Sequence, residues 1–485
     1  MKAKFVIKIL LFAVIVVSIW TLLTYTLTFQ DANYDRIRKY YVDTEEVNFD
    51  IIYLGSSHIY SNIDTKLIED KTGYNVYSIS TSSQKMSQNY YLLREAMKYD
   101  DIKVVVLEMY SLYNKKPHNT QIKSRIASKM RWSKNKVDYL INVFGYPDIF
   151  YFFVPLLRYH NNFSNEELIA NNLERFAEDA IDNDNYYHGY SPNEAVMTEK
   201  LFKRNLRSPS KNKLYYSVTP IEYDEYENEL EYLFKTISLC QENNIEVILL
   251  KTPVISYVGN IADYSDYYAD VVSGIANEYG INMIDYNFLA FKLGLDHNTF
   301  KDAGHLNKAG SRIISEHFAN YYNALHDDSV ARSENLILSA ELTAQGGRGK
   351  LALSSDETYG QGYRIRKIYE DINYNKIAVL KKGDIVQNGP DYLPYYFSCV
   401  VKNTGNADPE SLKMMFNIYN GEAGYDRYQY RTVSHLEKDY YLVTTKLESN
   451  IGEYYEVRIN SNLPKGVSVE IYDLQLYKAH YCLPL

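Results

Sequence analysis

The chain has 485 residues, of which 46% are hydrophobic and 23% charged, and its net charge is −9. This length provides for two or three domains with buried cores. The acidic balance argues against general affinity for nucleic acid, and no DNA- or RNA-binding motif is present in the sequence. Tyrosine is abundant, with 51 copies; it suits sugar-binding surfaces and also enriches ordinary β-sheets.

Residues 1–30 are typical of a membrane anchor. Lys2, Lys4 and Lys8 precede an apolar segment from Ile9 to about Phe29, which matches the roughly 20 residues that cross a bilayer. The lysines predict a cytoplasmic N-terminus and an extracytoplasmic remainder. A cleaved signal peptide is the alternative, but its apolar core is usually shorter and no A-x-A-like site follows here. We therefore expect a single uncleaved span in the cell membrane, with its helix in contact with lipid.

Residues 31–330 are predicted to form an α/β domain. Short apolar runs, which predict buried strands, alternate with segments of helical periodicity, and this alternation indicates a parallel sheet built from βαβ units. The predicted strands are 51–54, 74–79, 104–107, 247–250 and 281–284. The predicted helices are 61–70, 85–98, 223–243, 263–279 and 307–325.

The alternation is interrupted between about residues 110 and 220, which we interpret as a mostly helical insertion over the strand ends. Between Asn114 and Val137 the sequence has eight basic residues and no acidic one. This basic run is expected either to lie against anionic lipid headgroups or to form a solvated helix face. The eight residues are Lys115, Lys116, Lys123, Arg125, Lys129, Arg131, Lys134 and Lys136.

Residues 331–485 have a different pattern, with short alternating runs separated by Gly, Asn and Pro. This pattern predicts an antiparallel β-sandwich. The three cysteines of the chain do not make a disulfide framework. Cys240 is expected to be a small core residue, and whether Cys399 pairs with Cys482 stays open.

Two motifs carry the candidate chemistry. Residues 55–58, Gly-Ser-Ser-His, follow the first predicted strand, at the sheet edge where open α/β sheets bind ligands. A serine on a tight turn there suits a nucleophile with backbone N–H groups nearby for an oxyanion. Asp302 and His305 lie on one turn, where the carboxylate can fix the imidazole tautomer and leave Nε2 to accept a serine proton. A capping turn and a structural histidine are the alternatives.

Together these motifs resemble the SGNH (GDSL-like) hydrolase superfamily, over residues 49–325 without the insertion. The resemblance implies a three-layer, flavodoxin-like parallel sheet. It implies Ser57 as the nucleophile, His305 as the base and Asp302 as the residue that orients the base. It also implies an oxyanion hole, for which the N–H groups of Ser57 and of Ser83, in the turn after the second strand, are the candidates.

The sequence departs from the family pattern at four places, one of which is that His58 follows the proposed nucleophile. Ser56 stands where the family has Asp, and Ser83 stands where Gly is usual. After the third strand, residues 108–114 read Glu-Met-Tyr-Ser-Leu-Tyr-Asn rather than Gly-x-Asn-Asp. Asn114 is therefore a weak candidate for the side-chain oxyanion donor.

The anchor, the Gly-Ser-Ser turn and the Asp-x-x-His-Leu-Asn ending are similar to the DltD-like and alginate-acetylation-type branch. That resemblance implies an O-acyltransferase, with acetyl as the expected acyl group, acting on a cell-surface or secreted polysaccharide. It implies a multi-pass membrane acyltransferase as partner, no cofactor, no metal, and a terminal sandwich similar to carbohydrate-binding modules. The alternatives are an esterase or deacetylase that uses water and an inactive carbohydrate-binding surface protein.

Four further residues are candidates for lining a substrate cleft, each with a structural role as the alternative. They are Arg158, His160, His188 and Lys251.

Overall fold

The computed structural model describes most of the α/β region and the cores of the strands that follow it. The described residues are 2–28, 32–113, 120–145, 148–177, 187–208, 223–259, 272, 274–291, 293–326, 349–367, 376–380, 395–408, 412, 416–420, 424–425, 429–447, 455–460 and 466–478.

Five parallel strands form one sheet in the order β2-β1-β3-β4-β5, which is the order of flavodoxin-type doubly wound sheets. Every residue of β1, β2 and β3 is buried, as expected of a parallel sheet with both faces covered. All five predicted strands are present within two residues of their predicted bounds. The strands are β1 (Ile51–Gly55), β2 (Val76–Ser80), β3 (Val104–Glu108), β4 (Glu246–Lys251) and β5 (Asn282–Asp285).

Helices connect the strands and build the insertion. Within the described ranges they are α1 (Lys2–Leu27), α2 (Ala32–Asp43), α3 (Ser57–Asn62), α4 (Thr65–Thr72), α5 (Met86–Ala96), α6 (Tyr110–Tyr113), α7 (Thr120–Lys129), α8 (Lys134–Tyr139), α9 (Asp148–Phe153), α10 (Pro155–Arg158), α11 (Glu166–Ala177), α12 (Glu199–Arg207), α13 (Tyr223–Glu242), α14 (Ile255–Gly259), α15 (Gly274–Tyr279), α16 (Tyr286–Leu289) and α17 (Lys308–Leu325). A π-helix spans Leu140–Phe144, and 3₁₀ turns span His160–Asn162 and His297–Thr299.

The helix predicted over 61–70 is two helices, α3 and α4. Asp64 ends the connection between them, because its side chain accepts a hydrogen bond from the Leu67 N–H as the N-cap of α4. Gly73 follows α4 with φ +75°, the left-handed conformation that glycine adopts at low cost. The helix predicted over 263–279 is described from Gly274 onward as α15.

The chain forms two compact units. The first comprises residues 1–61, 75–192 and 222–245, and the second comprises 62–74, 193–221 and 246–485. The first unit contains α1, β1 to β3, the described insertion helices α7 to α11, and α13. The second contains β4, β5, α17 and the strands that follow. Cys240 of α13 is fully buried, and burial raises the pKa of its thiol to about 12, which agrees with the predicted core role.

Several described basic residues of the insertion make internal contacts. Lys129 forms an ion pair with Asp35, and Arg131 forms one with Glu45. The Lys136 ammonium donates to the Met130 carbonyl at 2.9 Å, and burial lowers its pKa to about 8. The described part of the basic run is therefore not a uniformly solvated helix face, because some of its side chains contact acidic and carbonyl groups of the same unit. Lys115 and Lys116 lie outside the described residues.

Ten strands in the second unit form two antiparallel sheets. Their orders are β11-β10-β14-β8 and β12-β13-β9-β15-β7-β6, and each described pairing within them is antiparallel, as predicted for this segment. Cys399 is buried in β9 as a free thiol, and Cys482 lies outside the described residues. The strands are β6 (Gly349–Asp356), β7 (Gly360–Lys367), β8 (Lys376–Leu380), β9 (Tyr395–Lys402), β10 (Phe416–Asn420), β11 (Gly424–Tyr425), β12 (Gln429–His435), β13 (Tyr440–Leu447), β14 (Tyr455–Asn460) and β15 (Ser468–Lys478).

Helix α1 is the one helix in the described part of the chain that is long and apolar enough to cross a membrane. The qualifying segment runs over residues 4–27, close to the span predicted from the sequence. Its side chains are exposed from residue 4 to residue 23, whereas Thr26 and Leu27 at its end are buried.

Candidate active site

The turn after β1 is anchored by a buried carboxylate. Glu108, the last residue of β3, accepts two hydrogen bonds through Oε2 from Ser56, one from the backbone N–H at 3.0 Å and one from Oγ at 2.9 Å. Both residues are almost completely buried. Gly55 allows this approach, because a Cβ there would lie 2.5 Å from Glu108 Cβ and 2.7 Å from Ile59 Cγ1. The turn therefore has a fixed backbone.

Ser57 is the accessible residue of this turn. It opens α3 and is half-buried, whereas its neighbours Ser56 and His58 are 2% and 4% exposed. The His58 N–H donates to Ser56 Oγ at 3.3 Å, and the His58 ring lies 3.9 Å from the Tyr110 ring, centroid to centroid. The two buried neighbours hold the backbone on either side of Ser57, which is itself partly exposed.

The turn after β2 adjoins the turn after β1. The Thr81 N–H donates to the Gly55 carbonyl at 3.3 Å, and Ser82 Oγ lies 3.0 Å from the Tyr60 hydroxyl of α3. Ser83 is exposed and has φ +58°, a conformation that favours glycine. Ser83 thus occupies a backbone position that glycine adopts more readily. Its role as an oxyanion donor stays a prediction.

Asp302 and His305 form a self-contained hydrogen-bonded turn. His305 Nδ1 lies 2.9 Å from Asp302 Oδ1 and 3.0 Å from Oδ2. The same carboxylate accepts the backbone N–H groups of Gly304 and His305 at 2.9 and 3.0 Å. With Nδ1 engaged by a carboxylate, the proton is held on Nδ1, and Nε2 is the nitrogen that acts as a base.

The carboxyl group of Asp302 stays ionised over a wide pH range. Burial raises its pKa, but the hydrogen bond and the charge of His305, together with the Gly304 N–H and Lys301, outweigh that effect and hold the pKa below its ordinary value. An ionised carboxylate beside an imidazole stabilises the imidazolium that forms during proton transfer.

Hydrogen bonds to other segments fix the backbone at Ala303 and at Leu306, on either side of His305. The Ala303 carbonyl accepts from the Ile255 N–H of α14 at 3.0 Å. The Leu306 N–H donates to Asn62 Oδ1 at 2.8 Å. Asn62 is the last residue of α3, the helix that Ser57 opens, so a hydrogen bond links the end of that helix to the residue after His305. The meeting of Ser57 itself with His305 stays a prediction.

Arg158 and His160 lie in the insertion, next to the end of α1. The Arg158 guanidinium carbon lies 4.3 Å from the centroid of the Tyr159 ring, and burial lowers the pKa of the group. His160 Nδ1 lies 2.7 Å from the Leu157 carbonyl. Asn162, two residues later, donates to the Leu27 carbonyl of α1 at 2.8 Å. These contacts show packing beside α1 and do not indicate a substrate cleft.

His188 packs at the amino end of β1, whereas Ser57 follows the carboxyl end of that strand. Its ring lies 5.0 Å from Phe49 and 5.9 Å from Tyr77, and its carbonyl accepts from the Ser78 N–H of β2. Since β1 has five residues, a strand length of roughly 16 Å separates the two ends. This position does not favour the predicted role of His188 at the substrate.

Lys251 and Asn114 complete the predicted set. Lys251 ends β4 and is fully buried, with Nζ 5.3 Å from the centroid of the Tyr257 ring. It precedes the α14 segment whose N–H contacts Ala303, so it lies on a chain segment next to the Asp302 turn. Asn114 lies outside the described residues, and its predicted oxyanion role stays a prediction.

Glu108 is the site residue that reasoning from the sequence did not assign. Glu108 is the first residue of the segment that stands in place of Gly-x-Asn-Asp, and the sequence pattern predicts no function for its side chain. The available signal was a carboxylate at the carboxyl end of a fully apolar strand, since an ionisable group so placed must find buried partners. Its partner Ser56 lies 52 residues away in sequence, and periodicity does not reveal such a pairing.

Among the described residues no cluster of three or more His, Cys, Asp or Glu side chains is arranged to hold a metal ion. No model of a known protein family matches the chain, and no curated protein matches it. The residues of the two turns and their hydrogen bonds are therefore the basis for assigning a function.

Proposed function

We propose that this protein is a membrane-anchored, extracytoplasmic O-acyltransferase that uses a Ser57-His305-Asp302 triad and acts on a polysaccharide of the cell surface. The main observation in support of the proposal is that His305 Nδ1 lies within hydrogen-bond distance of both carboxylate oxygens of Asp302, at 2.9 and 3.0 Å. This pairing prepares an imidazole for general base catalysis. The accessible Ser57, on a turn held by buried neighbours, supplies the nucleophile.

In the first half-reaction, Ser57 Oγ attacks the acyl carbonyl carbon of the donor and its proton passes to His305 Nε2. Backbone N–H groups at Ser57 and Ser83 are proposed to hold the oxyanion. The tetrahedral intermediate then breaks the bond to the donor's leaving group, which takes the proton from His305. The product is an acyl ester on Ser57.

In the second half-reaction, a sugar hydroxyl transfers its proton to His305 Nε2 and attacks the acyl-enzyme carbonyl. The bond to Ser57 Oγ breaks, and Ser57 recovers the proton. Transfer to sugar rather than water requires that the cleft orient the acceptor and exclude water. The proposed donor is an acyl group delivered through the bilayer by a multi-pass membrane acyltransferase, because α1 would hold the enzyme at the membrane. In this arrangement the N-terminus is cytoplasmic.

The proposal is tested with the full chain in detergent, using an activated acetyl ester and a fluorophosphonate probe. Ser57→Ala is expected to lower the rate by roughly a thousandfold or more without loss of fold, and to abolish labelling. Ser128→Ala is the matched control, because Ser128 is an exposed serine of the same unit that hydrogen-bonds to a local carbonyl. Equal rates for the two variants would remove the triad assignment.

Adding an oligosaccharide to the same assay distinguishes transfer from hydrolysis. Ser57-dependent acylation of the sugar supports the transferase, and release of free acid alone, with sugar present, indicates an esterase. Absence of both labelling and ester turnover in the wild-type chain would remove the enzymatic assignment.

A further inference from the structure

The end of α1 is held by the insertion. The last carbonyls of any helix lack hydrogen-bond donors within the helix. At the end of α1, two asparagine side-chain amides are the donors. Asn172 Nδ2 donates to the Thr26 and Thr28 carbonyls at 2.9 and 2.8 Å, and Asn162 Nδ2 donates to the Leu27 carbonyl at 2.8 Å. Asn172 is 2% exposed, so this connection is buried. The segment from α10 to α11 is thereby fixed at the point where the apolar helix ends.

Exposed apolar side chains directly follow both asparagines in the sequence. Phe163 directly follows Asn162 and is 55% exposed, and Leu173 directly follows Asn172 and is 45% exposed. Helices α9 and α10 carry further exposed apolar side chains, and so does Trp132, which directly precedes Ser133, the N-cap of α8. Six such residues of the first unit, each large, hydrophobic and exposed, are named here the exit surface. They are Trp132, Phe150, Phe153, Leu157, Phe163 and Leu173.

The exit surface includes an ordered aromatic pair. The Trp132 and Phe153 rings stack with centroids 6.2 Å apart and an interplanar angle of 20°, and the Lys136 ammonium lies 4.2 Å from the centroid of the Trp132 ring. Trp132 is nevertheless 65% exposed. An exposed tryptophan suits a membrane–water interface, where its apolar ring meets acyl chains and its indole N–H meets water or headgroups.

We propose that the exit surface is embedded in the interfacial layer of the bilayer that α1 crosses, so that the insertion is a second, monotopic membrane contact. A water-facing position would leave this group of large apolar side chains hydrated, which soluble surfaces generally avoid. The bilayer is the favoured occupant because Asn162 and Asn172 are hydrogen-bonded to the end of α1, and each directly precedes a residue of the exit surface. The nearby cations Lys129 and Arg131 are paired with Asp35 and Glu45, so apolar burial supplies the attraction.

This arrangement would deepen the proposed function, and it rests on membrane anchoring through α1. A single helix with a loose connection leaves the attached domain free to tilt. A helix and an interfacial surface fixed to one another would instead hold the first unit, with Ser57, close to the membrane. An acyl group presented by a membrane-embedded donor would then be met at a defined distance.

The test exploits the two tryptophans of the chain, Trp20 in α1 and Trp132. Two single-tryptophan full chains, Trp20→Phe and Trp132→Phe, are reconstituted into phosphatidylcholine vesicles. The vesicles contain unlabelled lipid, lipid brominated at a shallow position on the acyl chain, or lipid brominated near its terminal methyl. Bromine quenches tryptophan emission at short range, so the loss of emission reports contact and depth. The chain that retains Trp20 is the matched control, since it reports whether α1 is inserted.

The expected result is loss of Trp20 emission, and also loss of Trp132 emission that is greatest with shallow bromine. If Trp20 is quenched while Trp132 is not, anchoring stands and the exit-surface proposal is overturned. If neither is quenched, anchoring fails and the proposal fails with it. If Trp132 emission changes with the protein-to-lipid ratio but not with bromine, a second copy of the chain covers the surface, which also overturns the proposal.

Discussion

Two carboxylates support the two parts of the proposed site, and they do so in opposite ways. Glu108 is buried, lies 52 residues from its partner Ser56, and fixes a backbone turn. Asp302 is about half-exposed, lies three residues from His305, and orients a side chain. The first region gains its shape from long-range packing and the second from a local turn. We therefore expect changes at Asp302 to affect chemistry and changes at Glu108 to affect stability first.

Asp302→Asn tests this comparison most directly, because it is expected to have the largest effect on turnover. Asn retains an oxygen for the N–H groups of Gly304 and His305 but favours the wrong imidazole tautomer, so that Nε2 carries a proton. The expected result is a fall in turnover of about ten-thousandfold with a loss of stability smaller than that expected for Glu108→Ala. Ester turnover and circular dichroism of the full chain measure the two effects. A fall of less than about tenfold would contradict the assigned role.

Glu108→Ala is expected to act through the fold. It leaves the N–H and hydroxyl of Ser56 buried without their acceptor and opens a cavity, at a cost of about 3 kcal/mol in the free energy of unfolding. Glu108→Gln is the matched control, since it keeps the volume and one acceptor oxygen and should cost about 1 kcal/mol. Thermal and denaturant unfolding of both variants measures the difference. An Ala variant as stable as wild type would break the comparison.

The dependence of stability on acid pH tests the ionised state of Asp302. The folded-state pKa of Asp302 is lowered, so its pairing stabilises the fold above the pKa of the unfolded chain, about 3.9, and that contribution is lost as the pH falls through the folded value. We expect the stability difference between wild type and Asp302→Asn to shrink progressively below about pH 4. Unfolding midpoints over this range measure it. A constant difference would show that Asp302 contributes no ionised pairing.

The smallest expected effect concerns Ser83, in the turn beside Ser57. Glycine at this position removes the cost of a left-handed serine, about 1 kcal/mol, but adds freedom to the unfolded chain. We expect Ser83→Gly to change stability by less than about 1 kcal/mol and to leave turnover unchanged, because a backbone N–H is the proposed donor. Denaturant unfolding and ester turnover check this, and a large loss of rate would assign a role to the Ser83 side chain.

Local sequence patterns predicted the elements of the fold well. The five strands of the parallel sheet and the apolar helix were found from apolar runs, because a strand buried on both faces and a membrane span both require uninterrupted apolar residues. The Asp302–His305 contact was also predictable, since three positions along one turn bring two side chains together. Asn307 was predicted at the start of the final helix, and it is the N-cap of α17.

Pairings between distant segments were decided by the tertiary structure alone. The anchoring of Ser56 by Glu108, the hydrogen bonds from Asn162 and Asn172 to the end of α1, and the packing of His188 beside Phe49 all join residues that no periodicity relates. Each buries a polar group or a ring whose partner is chosen by how the chain packs, and the cost of leaving such a group unsatisfied makes that choice specific. The sequence by itself therefore determined which segments are strands, helices and local turns, while three-dimensional packing determined which polar side chains hold them in place.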